Sequence, residues 1–144
     1  MLRHIVFVYG TLLRGEANHA LLRGAERLEA DARVRGALYD TGCGYPALVL
    51  EEGAAEDSGA GPAGPVAGEV YAVDGRMLAE LDALEDYWGP GDPRNLYERV
   101  EAAVSVPGGE MRALVYVFPA ERAAGLARID GGDWRAYRRR GGGG

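Results

Sequence analysis

A chain of 144 residues, 47% hydrophobic and 26% charged, has the size and composition of one globular domain with a single core. Its net charge of −6 argues against wholesale nucleic-acid binding, and no apolar run approaches the roughly 18 residues of a membrane span. All sixteen basic residues are arginine, which excludes Schiff-base and P-loop chemistry, and the lone Cys43 allows neither an intramolecular disulfide nor a cysteine metal cluster.

The chain opens with His4 to Tyr9, a β-branched and aromatic run that reads as a strand buried on both faces rather than as a signal peptide, so the expected location is cytoplasmic. It stops at Gly10-Thr11-Leu12. A short loop after a buried strand leaves backbone N–H groups at the sheet end, where a ligand can approach; a plain turn capped by Thr11 is the competing reading. A short helix is predicted around Asn18 to Leu22, ending at Gly24. Arg27 to Asp40 alternates only in part, and its second half, Gly36 to Tyr39, reads as a strand. Thr41 to Pro46 is turn-rich, Ala47 to Leu50 a short strand, and Glu51 to Pro65 an acidic Gly/Ala/Pro surface loop.

Val66 to Val73 is a clear strand with Glu69 inside it, expected to pair with a cross-strand arginine. It feeds the strongest helical pattern, Arg76 to Trp88, in which Met77, Leu78, Leu81, Leu84 and Trp88 share one face. Glu85 lies on that same face, four residues after Leu81. A carboxylate turned into a core needs either a structural partner, such as a buried arginine, or a cavity and a chemical role. Gly89, Pro90, Gly91 and Pro93 then break the helix. Tyr97 to Val106 and Met111 to Phe118 flank a hairpin turn at Pro107 to Glu110, and Gly131-Gly132-Asp133-Trp134 caps a short terminal helix ahead of a frayed Arg138–Gly144 end. Strands first and last around one strong helix, without strict βαβ alternation, predict an α+β fold: a compact mixed sheet or small β-barrel with flanking helices, forming one domain over residues 1–140, with 141–144 a disordered tail.

The ordered set Tyr9-Gly10-Thr11-Leu12, Gly36-x-Leu38-Tyr39, Gly44-Tyr45-Pro46-Ala47, Val66-x-Gly68-Glu69-Val70-Tyr71, Leu81-Asp82-x-Leu84-Glu85-Asp86-Tyr87, Tyr97-x-Arg99 and Val115-Tyr116 resembles the gamma-glutamylcyclotransferase-like superfamily. The resemblance implies a small mixed β-barrel whose cavity carries one glutamate, here Glu85. It also implies a substrate loop, here Tyr9 to Leu12, that holds the α-amino and α-carboxylate end of a gamma-glutamyl group. The implied reaction is intramolecular: the α-amine attacks the γ-carbonyl, forming 5-oxoproline and releasing the amine. Burial beside Leu81 and Leu84 would make Glu85 a better base than a glutamate in water. Tyr97, Arg99 and Tyr116 are secondary pocket candidates. The two tyrosines could equally be core aromatics, and Arg99 a cross-strand ion-pair partner. No cofactor or metal is expected, since His4 and His19 lack neighbours at ligand spacing. The expected partner is a small gamma-glutamyl substrate, with no nucleic acid and no membrane. The alternative is a non-catalytic protein binding a small ligand in the same cavity. Cys43 has no base paired with it in the sequence.

Overall fold

The structure, a computed structural model, describes residues 3–51 and 63–140. Seven strands and three helices follow in the order β1 (Arg3–Val8), β2 (Glu26–Asp40), β3 (Pro46–Leu50), β4 (Gly64–Asp74), α1 (Gly75–Leu84), β5 (Glu98–Val106), β6 (Gly109–Val117), α2 (Ala120–Ala123), β7 (Ala127–Arg128) and α3 (Trp134–Arg139). Five strands, β2-β4-β1-β6-β5, form a barrel closed where Arg33 of β2 pairs with Ser105 of β5. Within the barrel β1 and β6 run parallel, and the other neighbours run antiparallel. Strands β3 and β7 extend the far end of β2. The expected mixed barrel with flanking helices is the observed architecture.

Side chains from all five barrel strands meet in one apolar cluster: Phe7, Val34, Val66, Val70, Ala102, Val104, Ala113 and Val115. Period-two alternation makes this cluster the barrel interior, with Ile129 and Trp134 packed into it. Gly68 is required here. A Cβ on it would lie 2.2 Å from the Val8 carbonyl oxygen and 2.5 Å from the Phe7 ring. The opposite faces of β1 and β4 give Val6, Val8, Tyr71 and Val73 to a second cluster under Leu78 and Leu81 of α1. Strand β1 is therefore covered on both sides, as its continuous apolar run requires.

The helix α1 starts because Asp74 ends β4 and caps it, its carboxylate accepting the Met77 N–H at 2.8 Å. A cap of this kind stabilises by about 1 kcal/mol. The helix ends at Leu84, four residues before the expected end at Trp88. Asp86 takes φ 52°, Asp86 N–H donates to Ala83 O at 3.3 Å, and Tyr87 N–H donates to Asp82 O at 2.9 Å. This is a Schellman turn with an aspartate where glycine is usual. Trp88 consequently leaves the apolar face. It is 58% exposed, with the Arg94 guanidinium 4.1 Å above its ring.

Other elements differ from their sequence expectation for local reasons. Strand β2 is continuous from Glu26, and register shifts between Arg27, Glu29 and Ala32 explain its broken alternation. The segment His19–Leu22 is a single 3-10 turn. Helix α2 and strand β7 are too short to carry a periodic signal. Most of the acidic 51–65 loop and the 141–144 tail lie outside the described residues.

Candidate active site

A cavity of about 320 Å³ opens at the end of β1. That volume suits a small ligand. Its walls are Phe7–Leu12, Ala17 and Asn18, the Cys43–Pro46 loop, Leu84–Asp86, Leu96, Tyr97 and Tyr116. Glu85, the residue that caps the C-terminus of α1, is among them. Its carboxylate has no hydrogen bond or ion pair among the described residues, and no arginine clamps it. Burial, and then the neighbouring Asp86 charge, push its pKa up to about 7.

The loop after β1 shares the cavity wall with Glu85. It is pinned by the next turn of chain: Asn18 Nδ2 donates to Thr11 Oγ1 at 3.0 Å, Asn18 N–H donates to Thr11 O at 2.8 Å, and His19 Nδ1 lies 2.9 Å from Leu12 O. These contacts use the loop's oxygens. Among the described residues, the N–H groups of Gly10, Thr11 and Leu12 have no acceptor. Gly10 is needed for packing as well, because a Cβ there would sit 2.7 Å from the Pro46 ring.

A buried carboxylate anchors the far side of this loop. Glu69 of β4 is 2% exposed and accepts from Arg14 N–H at 3.0 Å and from the Tyr71 hydroxyl at 2.9 Å. Arg27 across the sheet and Arg135 from α3 approach it at 3.6 and 3.5 Å. Glu69 thus has the cross-strand arginine expected of it. Its burial contrasts with that of Glu85, which is half-buried and unpaired.

The tyrosines form walls. Tyr9 donates its hydroxyl proton to Tyr116 O and Tyr97 donates to Pro46 O, each at 2.6 Å. The Tyr116 hydroxyl donates to Asp82 at 2.6 Å. Burial raises the pKa of all three, so they stay protonated and present their rings to the cavity. Arg99 is not among the cavity walls. Its Nη1 contacts both carboxylate oxygens of Asp82, at 2.6 and 2.8 Å, and its guanidinium lies 4.9 Å from the Tyr87 ring centre. Tyr9, Gly10, Thr11, Leu12, Tyr97 and Tyr116 are therefore gathered around Glu85, whereas Arg99 sits behind them in an ion pair.

Tyr45 and Leu96 belong to the loops around 41–46 and 87–96 that the sequence reading assigns to the amine side of the pocket, and Asp86 lies inside the Leu81–Tyr87 motif, though none of the three was singled out as a site residue; Asn18 carries no local signal. Asn95 was also missed. It is 4% exposed, accepts from Trp88 N–H at 2.6 Å and donates to Gly89 O at 2.7 Å and Glu98 at 3.1 Å, closing the loop beyond Glu85. Among the described residues, no three His, Cys, Asp or Glu side chains are grouped so as to hold a metal ion.

Residues 6–136 match the family model described as gamma-glutamyl cyclotransferase, AIG2-like. The chain belongs to that family. It is 40% identical over 133 residues to the gamma-L-glutamyl-butirosin B gamma-glutamyl cyclotransferase of Niallia circulans, covering 92% of this chain and 76% of that protein. It is 38% identical over 134 residues to a putative gamma-glutamylcyclotransferase of Vibrio cholerae, covering 92% and 96%. The crystal structure of YkqA from Bacillus subtilis superposes with a TM-score of 0.72 at 26% identity. That match takes in 99% of this cyclotransferase-family chain but only 44% of YkqA.

Proposed function

We propose that the protein cyclises a gamma-glutamyl amide to 5-oxoproline, with Glu85 as general base and then general acid. The observation that carries this reading is the unpaired Glu85 carboxyl in a cavity lined also by the loop whose three backbone N–H groups have no acceptor among the described residues. The substrate's α-carboxylate rests on the N–H groups of Gly10, Thr11 and Leu12, which bind an anion without a charged side chain. Glu85 takes a proton from the α-ammonium. The freed nitrogen attacks the γ-carbonyl carbon, and a five-membered ring closes. Collapse of the tetrahedral intermediate breaks the bond to the former amide nitrogen, which takes the proton held by Glu85, while the ring nitrogen's second proton passes through the regenerated carboxylate to the departing amine, which leaves as an ammonium. A pKa of about 7 suits a group that must accept and return one proton near neutrality. The tyrosine walls fold the substrate so that amine and carbonyl meet, an advantage for any intramolecular attack. No step needs a cofactor. The single cysteine is compatible with a reducing cytoplasm. The described residues and their two apolar clusters act as one domain.

The test is a set of gamma-glutamyl amides incubated with purified protein, with 5-oxoproline followed by mass spectrometry. Wild type releases it, and Glu85→Gln loses about 10²- to 10⁴-fold in rate while remaining folded. Binding of the amides without release by wild type would favour the ligand-binding reading. Retained turnover in Glu85→Gln would reject the role of Glu85.

A further inference from the structure

A second groove, of about 420 Å³, lies where the turn after β1 meets β2 and β4, and it shares no wall residue with the catalytic cavity. Arg14, Arg23, Arg27 and His19 line it beside the buried Leu22 and Tyr71, and no acid among the described residues does. Elsewhere arginines meet carboxylates: Arg3 pairs with Glu26, Arg35 with Glu51, Arg112 with Glu101 and Arg138 with Glu16. The exposed guanidiniums of Arg14 and Arg23 pair with nothing among the described residues, although the chain carries 22 acids to 16 arginines. Arg27 has one ion pair there, with Glu69 at 3.6 Å, longer than the roughly 2.7 to 2.9 Å of a charge-assisted hydrogen bond. Glu69 is already served by the Arg14 N–H, the Tyr71 hydroxyl and Arg135, so the five-donor fork of Arg27 keeps donors to spare. Three guanidiniums gathered in one groove repel one another, and only an anion between them turns that cost into a gain.

We propose that this groove is a second binding site, for a phosphate-type dianion: free phosphate or the phosphate group of a small ester. Planar guanidiniums take phosphate oxygens two at a time, and a dianion meets an excess of positive charge that a single carboxylate leaves unbalanced. The supports of the site are fixed. Arg14 N–H and the Tyr71 hydroxyl share Glu69 Oε1 at 3.0 and 2.9 Å, which ties the turn to β4. The His19 ring lies 5.9 Å from that of Tyr71, with its Nδ1 on Leu12 O. An occupant therefore rests on the same turn that carries Gly10 to Leu12. The inference is independent of the cyclisation reading.

The test titrates inorganic phosphate, glycerol phosphate and chloride, at matched ionic strength, into the whole chain, reading Tm and the phosphorus NMR line of the ligand. Phosphate or the ester should raise Tm saturably and broaden its line, and chloride should not raise Tm in this way. The double substitution Arg14→Gln with Arg23→Gln removes two exposed, unpaired guanidiniums. It should leave the Tm of the ligand-free protein within about 2 °C and weaken phosphate binding by about tenfold or more. Arg23→Gln alone, expected to weaken binding about threefold, keeps the test decisive if the pair fails to fold. Tighter binding of the ester makes the ester the source of the anion, and tighter binding of phosphate makes it free phosphate. A Tm response no larger than that to chloride overturns the proposal. So does phosphate binding that survives the substitutions unchanged, which would place the anion elsewhere, such as on the N–H groups of Gly10 to Leu12.

Discussion

The substitution Glu85→Gln removes a charge and little else, so its effect on stability can be worked out from the site. In the unfolded chain this carboxyl titrates near the ordinary 4.5; in the folded protein, burial and Asp86 move it to about 7. Between these two values the native state holds a proton that the unfolded state has released. Stability must therefore fall as pH rises through that window. At about 1.4 kcal/mol per pH unit, the loss is about 3 kcal/mol if complete, and about 2 kcal/mol once water reaching the carboxyl through the cavity is allowed for. The Glu85→Gln variant lacks this slope. Urea unfolding of both proteins across the range from mildly acidic to mildly alkaline pH should show the variant gaining about 2 to 3 kcal/mol relative to wild type, with most of the gain between about pH 5 and pH 7. Titrating groups that do not interact with Glu85 cancel in the difference. For a domain of this size the gain corresponds to about 5 to 15 °C in Tm. The variant would thus be the more stable protein and the inactive one. A difference that stays flat with pH within about 0.5 kcal/mol, or that falls, would refute the claim that Glu85 is a strained, unpaired acid.

Three further outcomes follow from the same geometry. The kcat/KM profile for a gamma-glutamyl amide should rise with pH along a limb centred near 7, where Glu85 becomes able to accept a proton, and Asp86→Asn should move that limb to lower pH. Asp82→Asn leaves Arg99 without its anion and should lower stability by about 1 to 3 kcal/mol in urea unfolding, while lowering turnover through displacement of the Tyr116 wall. Gly68→Ala should cost about 3 kcal/mol or more, or abolish soluble expression, because the new methyl meets the Val8 carbonyl at 2.2 Å with no flexible group to yield; thermal unfolding measures it.

The sequence made Glu85 visible through a conflict, a charge on an apolar helical face. Its setting was only half legible. Periodicity extends Arg76–Trp88 as one helix, yet the chain leaves the helix at Leu84 through an aspartate in a conformation that sequence rules assign to glycine. That early exit moves Trp88 outward, while Glu85, still bonded to Leu81 O at 3.0 Å, keeps the direction that the helical spacing gives it. The barrel was legible as a class because β4, β5 and β6 alternate well, but its closure at Arg33–Ser105 is a pairing between distant residues that no local pattern encodes. Arg99 illustrates a different limit. Its type and position suit either substrate or ion pair, and only the placement of Asp82 across from it decides. Asn95 is an isolated polar residue in a Gly/Pro-rich loop, so nothing local marks it as buried.

The hydroxyl of Tyr9 reaches the carbonyl of Tyr116, residues 107 positions apart in the chain. Tyr116 lies on β6 and Tyr9 directly follows β1, the parallel pair of the barrel, which nothing shorter than most of the polypeptide can join. Every nascent or partly unfolded form that lacks this seam also lacks one wall of the pocket. Catalytic output would then count only molecules that have completed their longest-range assembly, and recovery of turnover after dilution from denaturant would time the last event in folding rather than the first.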